Sequence, residues 1–243
     1  MSKNSLTLSK FNTNYINPTT LAMYASSLDT WREILSFHSS LSTDDFVYAV
    51  DQFYRAAIKK YGDFWWHLDI VNILYAAAQL ENPKNYLEIG VRRGRSCAVV
   101  AHGSPNVNIF ACDMWVENYA GMENPGENFV KNELAQAGHI GRLTFLNGSS
   151  HLLIPKFFDE NPDLLFNLIT VDGDHSEDGA YADLSNVIQR LAPGGILVFD
   201  DIAHPSHPYL IDCWRRATAK HPNLLTYEYV ETGYGIAFAV NQV

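Results

Sequence analysis

The chain has 243 residues, of which 47% are hydrophobic, and a formal net charge of −10 at pH 7. A chain of this length can bury a full core and most simply forms one domain. Its acidic balance gives no electrostatic footprint for a phosphate backbone, so we expect no nucleic-acid partner. No apolar run is long enough to span a membrane, and the first residues lack the apolar core of a signal peptide. We therefore expect a cytoplasmic protein without a membrane partner.

The first third of the chain has the apolar spacing of helices. The first eighteen residues are polar and contain Asn and Pro, so we expect them to lie loosely on the surface. Apolar residues then recur every three or four positions, with Asp44 as the start of the second helical segment. This pattern predicts an N-terminal helical extension over residues 1–84, with helices over 21–37, 44–61 and 64–80.

From residue 85 onward, apolar strands alternate with helical segments, which is typical of βαβ units and a parallel sheet. The last two strands flank a short turn and predict an antiparallel hairpin. We therefore expect residues 85–243 to form a Rossmann-like α/β domain, a doubly wound, mostly parallel seven-stranded sheet with an antiparallel C-terminal hairpin. The predicted strands are 86–89, 108–112, 143–146, 167–171, 196–199, 225–229 and 235–240, and the helices are 96–102, 127–137, 151–158, 180–191 and part of 205–220.

The three cysteines are far apart in the sequence and include no C-x-x-C pair. That spacing argues against a zinc site and against a disulfide framework. We interpret all three as buried packing residues: Cys97, Cys112 and Cys213.

Acidic residues end several of the predicted strands. Asp113 follows the second strand, Asp172 the fourth, and Asp200 and Asp201 the fifth. In an open parallel sheet, ligands bind in the crevice outside the carboxyl ends of the strands. These acids therefore describe one site.

The loop after the first strand reads Glu88-Ile-Gly90-Val-Arg-Arg-Gly94. Its glycines permit a tight turn and a close approach of a ligand to the backbone. The dinucleotide fingerprint requires a glycine where this chain has Glu88, which argues against an NAD-dependent oxidoreductase. A carboxylate there suits an amino-bearing ligand, and Asp113 is placed to accept hydrogen bonds from ribose hydroxyls.

These motifs, in this order, resemble class I S-adenosylmethionine-dependent methyltransferases from about residue 86 to the C-terminus. The resemblance implies that the glycine loop wraps the aminoacyl part of the cofactor and that the loop after the third strand contacts the adenine. An ordinary helix cap is the alternative for Ser149 and Ser150. The implied cofactor-binding residues are Glu88, Gly90, Gly94, Ser96, Asp113, Met114, Gly148, Ser149, Ser150 and Asp172.

The acidic strand ends further resemble those of metal-dependent O-methyltransferases and the cephalosporin-hydroxylase-like branch. Adjacent strands lie about 4.8 Å apart, so carboxylates at their ends repel one another unless protonated or neutralised by a cation. Mg²⁺ or another divalent cation with oxygen ligands would neutralise them. The resemblance implies Asp172, Asp200 and Asp201 as metal ligands; a solvated turn is the alternative for the last two.

Methyl transfer to an oxygen requires that the acceptor hydroxyl lose its proton. Asp172 and His175 are the predicted catalytic residues, and His175 is our first choice for the base because histidine titrates near neutrality. A structural role for His175, as a helix cap or bonded to a loop carbonyl, is the alternative. His204 and His207 compete for the role of the base.

The leading prediction is methyl transfer from S-adenosylmethionine to a hydroxyl of a small-molecule acceptor, such as a sugar, a phenol or a natural product. The alternatives are a metal-independent N- or O-methyltransferase and a non-catalytic scaffold, although binding alone gives no reason to cluster three acids. The helical extension would cap the acceptor side, and a homo-oligomer is compatible with the sequence. Trp65, Trp66 and Trp115 either line the acceptor pocket or belong to the core, and core is preferred for Trp66.

Overall fold

The computed structural model describes residues 16–242, apart from the side chain of residue 120. The expectation of a loose surface segment at the N-terminus falls mostly outside this range. Where it can be compared, it is wrong, because Ile16 is buried and Pro18 is the buried first residue of a helix.

Four helices precede the sheet. The single helix predicted over residues 21–37 is two helices, because Ser27 interrupts it and its Oγ accepts the N–H of Thr30 at the start of the second. Asp44 caps the third as predicted, accepting the N–H of Val47 at 2.8 Å. The helices are α1 (Pro18–Ala25), α2 (Leu28–His38), α3 (Asp45–Tyr61) and α4 (Ile70–Glu81).

Helix α4 begins later than predicted. Asp69 and Asn72 form a capping box, in which the Asp69 carboxylate caps the helix and Asn72 Oδ1 accepts the Asp69 N–H at 2.8 Å. Before it, Gly62–Phe64 form one 3₁₀ turn and residues 65–69 have no regular structure. This irregular segment fixes His67 and Asp69 beside the sheet.

The predicted sheet is confirmed. Its order is β3-β2-β1-β4-β5-β7-β6; β1 to β5 are parallel, and β7 runs antiparallel between β5 and β6. Strand β5 begins earlier than predicted because Leu191 already pairs with Phe166. The strands are β1 (Asn85–Ile89), β2 (Asn108–Asp113), β3 (Leu143–Asn147), β4 (Phe166–Val171), β5 (Leu191–Asp200), β6 (Leu224–Tyr229) and β7 (Ile236–Asn241).

Helices cover both faces of the sheet and create two cores. The first core contains residues of α1 to α6, and the second contains residues of α7 to α9. Strand residues alternate between the cores: Val198 packs in the first and Phe199 in the second. By the same alternation the side chain of Asp200 faces the N-terminal helices. The remaining helices are α5 (Arg95–Gly103), α6 (Glu127–Gln136), α7 (Ser150–Glu160), α8 (Glu177–Ile188) and α9 (Leu210–Thr218).

The cysteines have the buried positions expected of packing residues. Within the described residues, no helix combines the length and apolar character that crossing a bilayer requires. The three buried free thiols belong to Cys97, Cys112 and Cys213.

Candidate active site

The site lies where the sheet order reverses, between β1 and β4, which is where an open α/β sheet forms its ligand crevice. Gly90 follows β1 with φ +87°, and a Cβ there would lie 1.8 Å from the carbonyl oxygen of Asp172. Only glycine permits this approach. The glycine loop and the acidic end of β4 are therefore in direct contact.

Glu88 is fully buried beneath the glycine loop. Its carboxylate accepts hydrogen bonds from Ser96 Oγ at 2.5 Å, from Cys97 Sγ at 3.0 Å and from the Tyr86 hydroxyl. Burial raises the pKa of Glu88 to about 7 although these donors oppose the shift. The structure brings Glu88 and Ser96 together, as partners that hold the start of α5 against β1.

Asp113 fixes the other side of the same loop. Its Oδ2 accepts the backbone N–H groups of Val91 at 2.7 Å and Arg92 at 2.8 Å, and its Oδ1 accepts that of Trp115 at 2.6 Å. Met114 is 62% exposed at the crevice end of β2. The Asp113 carboxylate therefore lies against the glycine loop at the end of β2, and its contact with ribose stays a prediction.

The loop after β3 closes the crevice next to Asp113. The Gly148 N–H donates to the carbonyl of Asp113 at 2.9 Å, and Trp115 Nε1 donates to Asn147 Oδ1 at 2.8 Å. Ser149 occupies the N-cap position of α7, but its side chain makes no capping hydrogen bond; Ser150 is the first helical residue. The structure thus gives no support to Ser149 as a side-chain cap.

Sequence reasoning missed a histidine and an acid behind this loop. His151 Nε2 lies 3.6 Å from Asp183 Oδ1 and 3.7 Å from Asp174 Oδ2. Asp183 is fully buried, which raises its pKa to about 6. The available signal was an aspartate on the apolar face of α8, one residue before the buried Leu184.

The acids at the ends of β4 and β5 meet around one histidine. The ligand atoms of Asp172, His175 and Asp201 all lie within 4.8 Å of one another. His175 Nε2 is 3.5 Å from Asp172 Oδ1 and 3.6 Å from Asp201 Oδ2. Asp200 is outside this trio because its side chain faces the N-terminal helices, whereas Asp201 leaves the strand with φ +62°. The structure therefore brings together Asp172, His175 and Asp201, whereas the predicted metal ligands were Asp172, Asp200 and Asp201.

Two members of the trio, Asp201 and His175, have raised pKa values. Burial, followed by the charge of Asp172, raises the pKa of Asp201 to about 7. Burial lowers the pKa of His175, but the close contact with Asp172 and the charge of Asp201 outweigh it, so the pKa rises above its ordinary value. A histidine with a raised pKa next to a carboxylate with a pKa of about 7 is suited to proton transfer.

His204 and His207 lie on the outer side of the trio. The ring of His207 is 5.3 Å from that of His175 and 4.9 Å from that of His204. Tyr209 donates its hydroxyl hydrogen bond to the His175 carbonyl at 2.8 Å, which holds the two loops together. Among these three histidines in the described chain, His175 alone forms ion pairs with the acids.

The prediction that Trp66 is a core residue is wrong, since it is 46% exposed. Its neighbours are the packed ones: Trp65 lies 5.2 Å from the Trp31 ring, and His67 is fully buried. The reason is that residues 65–69 are not helical, so the helical spacing behind the prediction does not apply.

The glycine loop is also tied to the N-terminal helices. Arg92 Nη1 lies 3.3 Å from Asp44 Oδ2, and Arg95 Nη2 lies 2.6 Å from Asp51 Oδ1. His38 Nδ1 lies 3.0 Å from the same Asp51 oxygen. Burial, followed by the charge of Arg95, lowers the pKa of His38 to about 4. Helices α2 and α3 therefore hold the loop from outside.

Comparison with known families gives the kind of domain that contains the glycine loop. Residues 87–202 match a family described as a methyltransferase domain. This part of the chain is similar to a methyltransferase domain. A curated relative, the uncharacterized protein y4gI of Sinorhizobium fredii, is 28% identical over 151 residues, which are 58% of this chain and 16% of that protein. The chain thus spans a small part of the length of this relative.

Solved structures share the fold of the methyltransferase domain. The O-methyltransferase TomG from Streptomyces achromogenes, in complex with SAM, has a TM-score of 0.57 at 19% identity, covering 89% of this chain and 99% of its own. An O-methyltransferase from Bacillus cereus, in complex with SAH, has a TM-score of 0.58 at 18% identity, covering 88% and 99%. CalS11, a TDP-rhamnose 3'-O-methyltransferase, has a TM-score of 0.54 at 18% identity, covering 87% and 93%.

Proposed function

We propose that this chain is an S-adenosylmethionine-dependent methyltransferase that acts on a hydroxyl oxygen of a small molecule, with Mg²⁺ or another divalent cation at its acidic cluster. The contact between Gly90 and Asp172 carries the proposal, because it joins the cofactor loop to the carboxylate–histidine trio at one point. A methyl donor on the loop would lie beside a group able to take the acceptor's proton.

The polar groups around the crevice suit an adenosine-bearing cofactor. Buried Asn124 Oδ1 has no hydrogen-bond partner, and the buried nitrogen or oxygen atoms of His151, His175 and Asp183 have only ion-pair contacts of 3.5 Å or more. Buried polar atoms are normally paired, so unpaired ones around a crevice favour a ligand rich in donors and acceptors. The names of the similar structures include SAM and SAH complexes, which supports the same choice of cofactor.

The trio also suits a divalent cation. Asp172 and Asp201 bring carboxylate oxygens together at one point, and carboxylate oxygens are ligands that Mg²⁺ takes in proteins. Asp172 and Asp201 would hold the ion, and Asp200 stays a predicted ligand. When bound, the ion supplies positive charge that favours deprotonation of an acceptor hydroxyl.

The protein's own groups have separate tasks in this proposal. His175 accepts the proton of the acceptor hydroxyl at Nε2, the atom that lies between the two carboxylates. Asp172 and Asp201 orient the imidazole and stabilise its protonated form. The sulfonium donor leaves as a neutral thioether, so no acid is needed there, and alignment of the two reactants supplies much of the acceleration.

The same geometry supports one second candidate, a metal-independent methyltransferase. A histidine held between two carboxylates can act as a general base without an ion. In that case Asp172 and Asp201 serve only to orient and charge His175. Dependence of turnover on a divalent cation separates the two candidates.

The test measures cofactor binding and methyl transfer on the same protein. Calorimetry should show S-adenosylmethionine binding that is weakened by Asp113→Ala by about 1.5–3 kcal/mol for each charged hydrogen bond lost. Methyl transfer to phenolic and sugar acceptors should stop with a chelator and return with Mg²⁺. A folded protein that binds no cofactor would contradict the proposal, whereas turnover that survives chelation would support the metal-independent candidate.

Two matched variants test the assignment of the ligands. Asp201→Asn should remove Mg²⁺-dependent turnover while cofactor binding persists, because the cofactor loop is held by Glu88 and Asp113. Asp200→Asn makes the same substitution at the neighbouring residue, whose side chain faces the N-terminal helices, and should retain turnover if the trio is complete. Equal loss in both variants would favour the three aspartates predicted from the sequence.

A further inference from the structure

Four aromatic side chains from three separate parts of the chain are only half-buried. Each is between 43% and 47% exposed, although rings of this size gain most from full burial. They lie on α3, on the irregular segment before α4 and on the turn between β6 and β7. We call them the aromatic rim: Phe46, Phe53, Trp66 and Tyr234.

One end of the aromatic rim lies beside the glycine loop. Phe46 and Phe53 share one face of α3, because seven residues correspond to about two helical turns. The guanidinium carbon of Arg92 is 5.6 Å from the centroid of the Phe46 ring. The backbone N–H of the same arginine donates to Asp113, so this end of the rim borders the proposed cofactor site.

The middle of the aromatic rim is continuous from α3 to the hairpin turn. The ring of Phe53 is 5.6 Å from the ring of His67, the residue that follows Trp66. A Cβ at Gly233 would lie 3.5 Å from Cε1 of the same histidine. The segment that contains Trp66 therefore packs between α3 and the turn that contains Tyr234.

The other end of the aromatic rim reaches the trio. The ring of Tyr234 is 4.3 Å from that of His204, and the carbonyl of Tyr234 accepts the N–H of Ala203 at 2.6 Å. The His204 ring is 4.9 Å from that of His207, which is 5.3 Å from that of His175. Exposed apolar side chains gathered along a crevice mark a ligand-binding groove. This groove connects the two places that methyl transfer requires.

The charges near the rim favour a neutral ligand. The three arginines in and directly after the glycine loop already have carboxylate partners, so an anionic substituent would have to displace an internal ion pair. The phenylalanines of the rim offer no donor or acceptor to the hydroxyls of a buried sugar. The pairs are Arg92 with Asp44 at 3.3 Å, Arg93 with Glu123 at 2.7 Å and Arg95 with Asp51 at 2.6 Å.

We propose that the aromatic rim binds an uncharged aromatic ring of the methyl acceptor, so that the substrate is a neutral phenol whose hydroxyl lies toward the trio. This inference rests on the proposed function and narrows its substrate class. A ring bound there would contact Phe53 and Trp66 by stacking or edge-on, and it would cover apolar surface that water otherwise meets. The rim residues determine which acceptor binds and take no part in proton transfer.

The test varies ring size and charge while the hydroxyl group stays the same. The full chain, with S-adenosylhomocysteine and Mg²⁺, is titrated with 2-naphthol, phenol, 6-hydroxynaphthalene-2-sulfonate and glucose. The naphthol should bind about tenfold more tightly than phenol, because its second ring buries further apolar surface against the rim. The sulfonate should bind about tenfold more weakly than the naphthol, because its anion loses water without gaining a free cation. Glucose should bind more weakly than phenol.

Variants of the rim test where the second ring binds. Phe53→Ala should reduce the advantage of 2-naphthol over phenol to within about threefold and leave S-adenosylhomocysteine binding within about twofold. Trp66→Ala provides the same measurement if Phe53→Ala does not fold. Tyr48→Ala is the matched control, because it removes a ring that is 59% exposed on another side of α3, two residues after Phe46. The control should keep the full preference.

Several results would overturn the inference. They are equal binding of phenol and 2-naphthol, tighter binding of glucose or the sulfonate, no binding of any acceptor, and a preference that survives both Phe53→Ala and Trp66→Ala. A changed sedimentation coefficient of Phe53→Ala with unchanged 2-naphthol binding would overturn it as well, since the rim would then be a contact between copies of the chain. Failure of the proposed function is distinct, because the wild type would then not bind S-adenosylhomocysteine.

Discussion

Glu88→Gln is expected to change how the stability of the protein depends on pH. The Glu88 carboxyl is fully buried, and burial raises its pKa from the ordinary 4.5 to about 7. The folded protein therefore holds a proton that the unfolded chain releases at lower pH. A raised acid pKa lowers the stability as pH increases from about 4.5 to about 7, and the loss is complete above that range.

The size of the effect follows from these two pKa values. A difference of about 2.5 pKa units corresponds to about 3 kcal/mol at high pH. Part of this loss has already occurred at pH 5, so about 2.5 kcal/mol remains between pH 5 and pH 8. Glutamine has no proton to lose at this position. The stability of Glu88→Gln relative to the wild type should therefore rise by about 2.5 kcal/mol over that interval.

Urea denaturation of both proteins at several pH values between 5 and 8 measures this difference. Subtracting the wild-type curve removes the titration of the acids that both proteins share, including Asp201. Glutamine also alters the hydrogen bonds from Ser96 and Tyr86, but that offset does not depend on pH. A stability difference that stays constant within about 0.5 kcal/mol across the series would refute the reasoning.

Two further comparisons test the backbone and the N-terminal contacts. Gly90→Ala should unfold the protein or lower its free energy of unfolding by more than about 3 kcal/mol, because the added Cβ would lie 1.8 Å from the carbonyl oxygen of Asp172. The matched control is Gly121→Ala, whose Cβ would have no atom within 4 Å, so only the strain of its φ of +78° should lower the stability. Asp51→Ala leaves the buried end of Arg95 unpaired and should cost about 3 kcal/mol, whereas Asp29→Ala breaks an exposed pair and should cost under about 1 kcal/mol. An equal loss of unfolding free energy for the two variants of either pair would contradict these expectations.

Local patterns were enough to predict the sheet, because each strand of the domain is a short apolar run bounded by glycines or acids. They were not enough at the helical boundaries of the first third. Ser27 interrupts a run that keeps its apolar spacing on both sides, and only its capping bond to Thr30 marks the break. The late start of α4 likewise depends on the pairing of Asp69 with Asn72, which competes with the spacing of the tryptophans before it.

The acidic site was predictable to the level of the strand ends but not of the side chains. That Asp172 and Asp201 converge follows from the parallel strands they end. The side chain of Asp200 points away from the trio because side chains alternate along β5. This orientation could be predicted only if the residue at which β5 ends were known. The position of His67 next to Asp69 depends on the contact of His67 with Thr232, between segments far apart in the sequence. No local pattern contains that information.

Arg92 of the glycine loop pairs with Asp44, and Arg95, the first residue of α5, pairs with Asp51. These ion pairs couple the glycine loop to the N-terminal helices. Coupling between two parts of a protein is reciprocal, so a ligand that orders the loop must also stabilise α2 and α3. Amide hydrogens in these helices should then exchange more slowly when S-adenosylhomocysteine is bound, although neither helix contacts the cofactor in the proposed arrangement. A fragment that begins at β1 would conversely bind the cofactor more weakly, because it lacks the contacts with α2 and α3 that help to order the glycine loop.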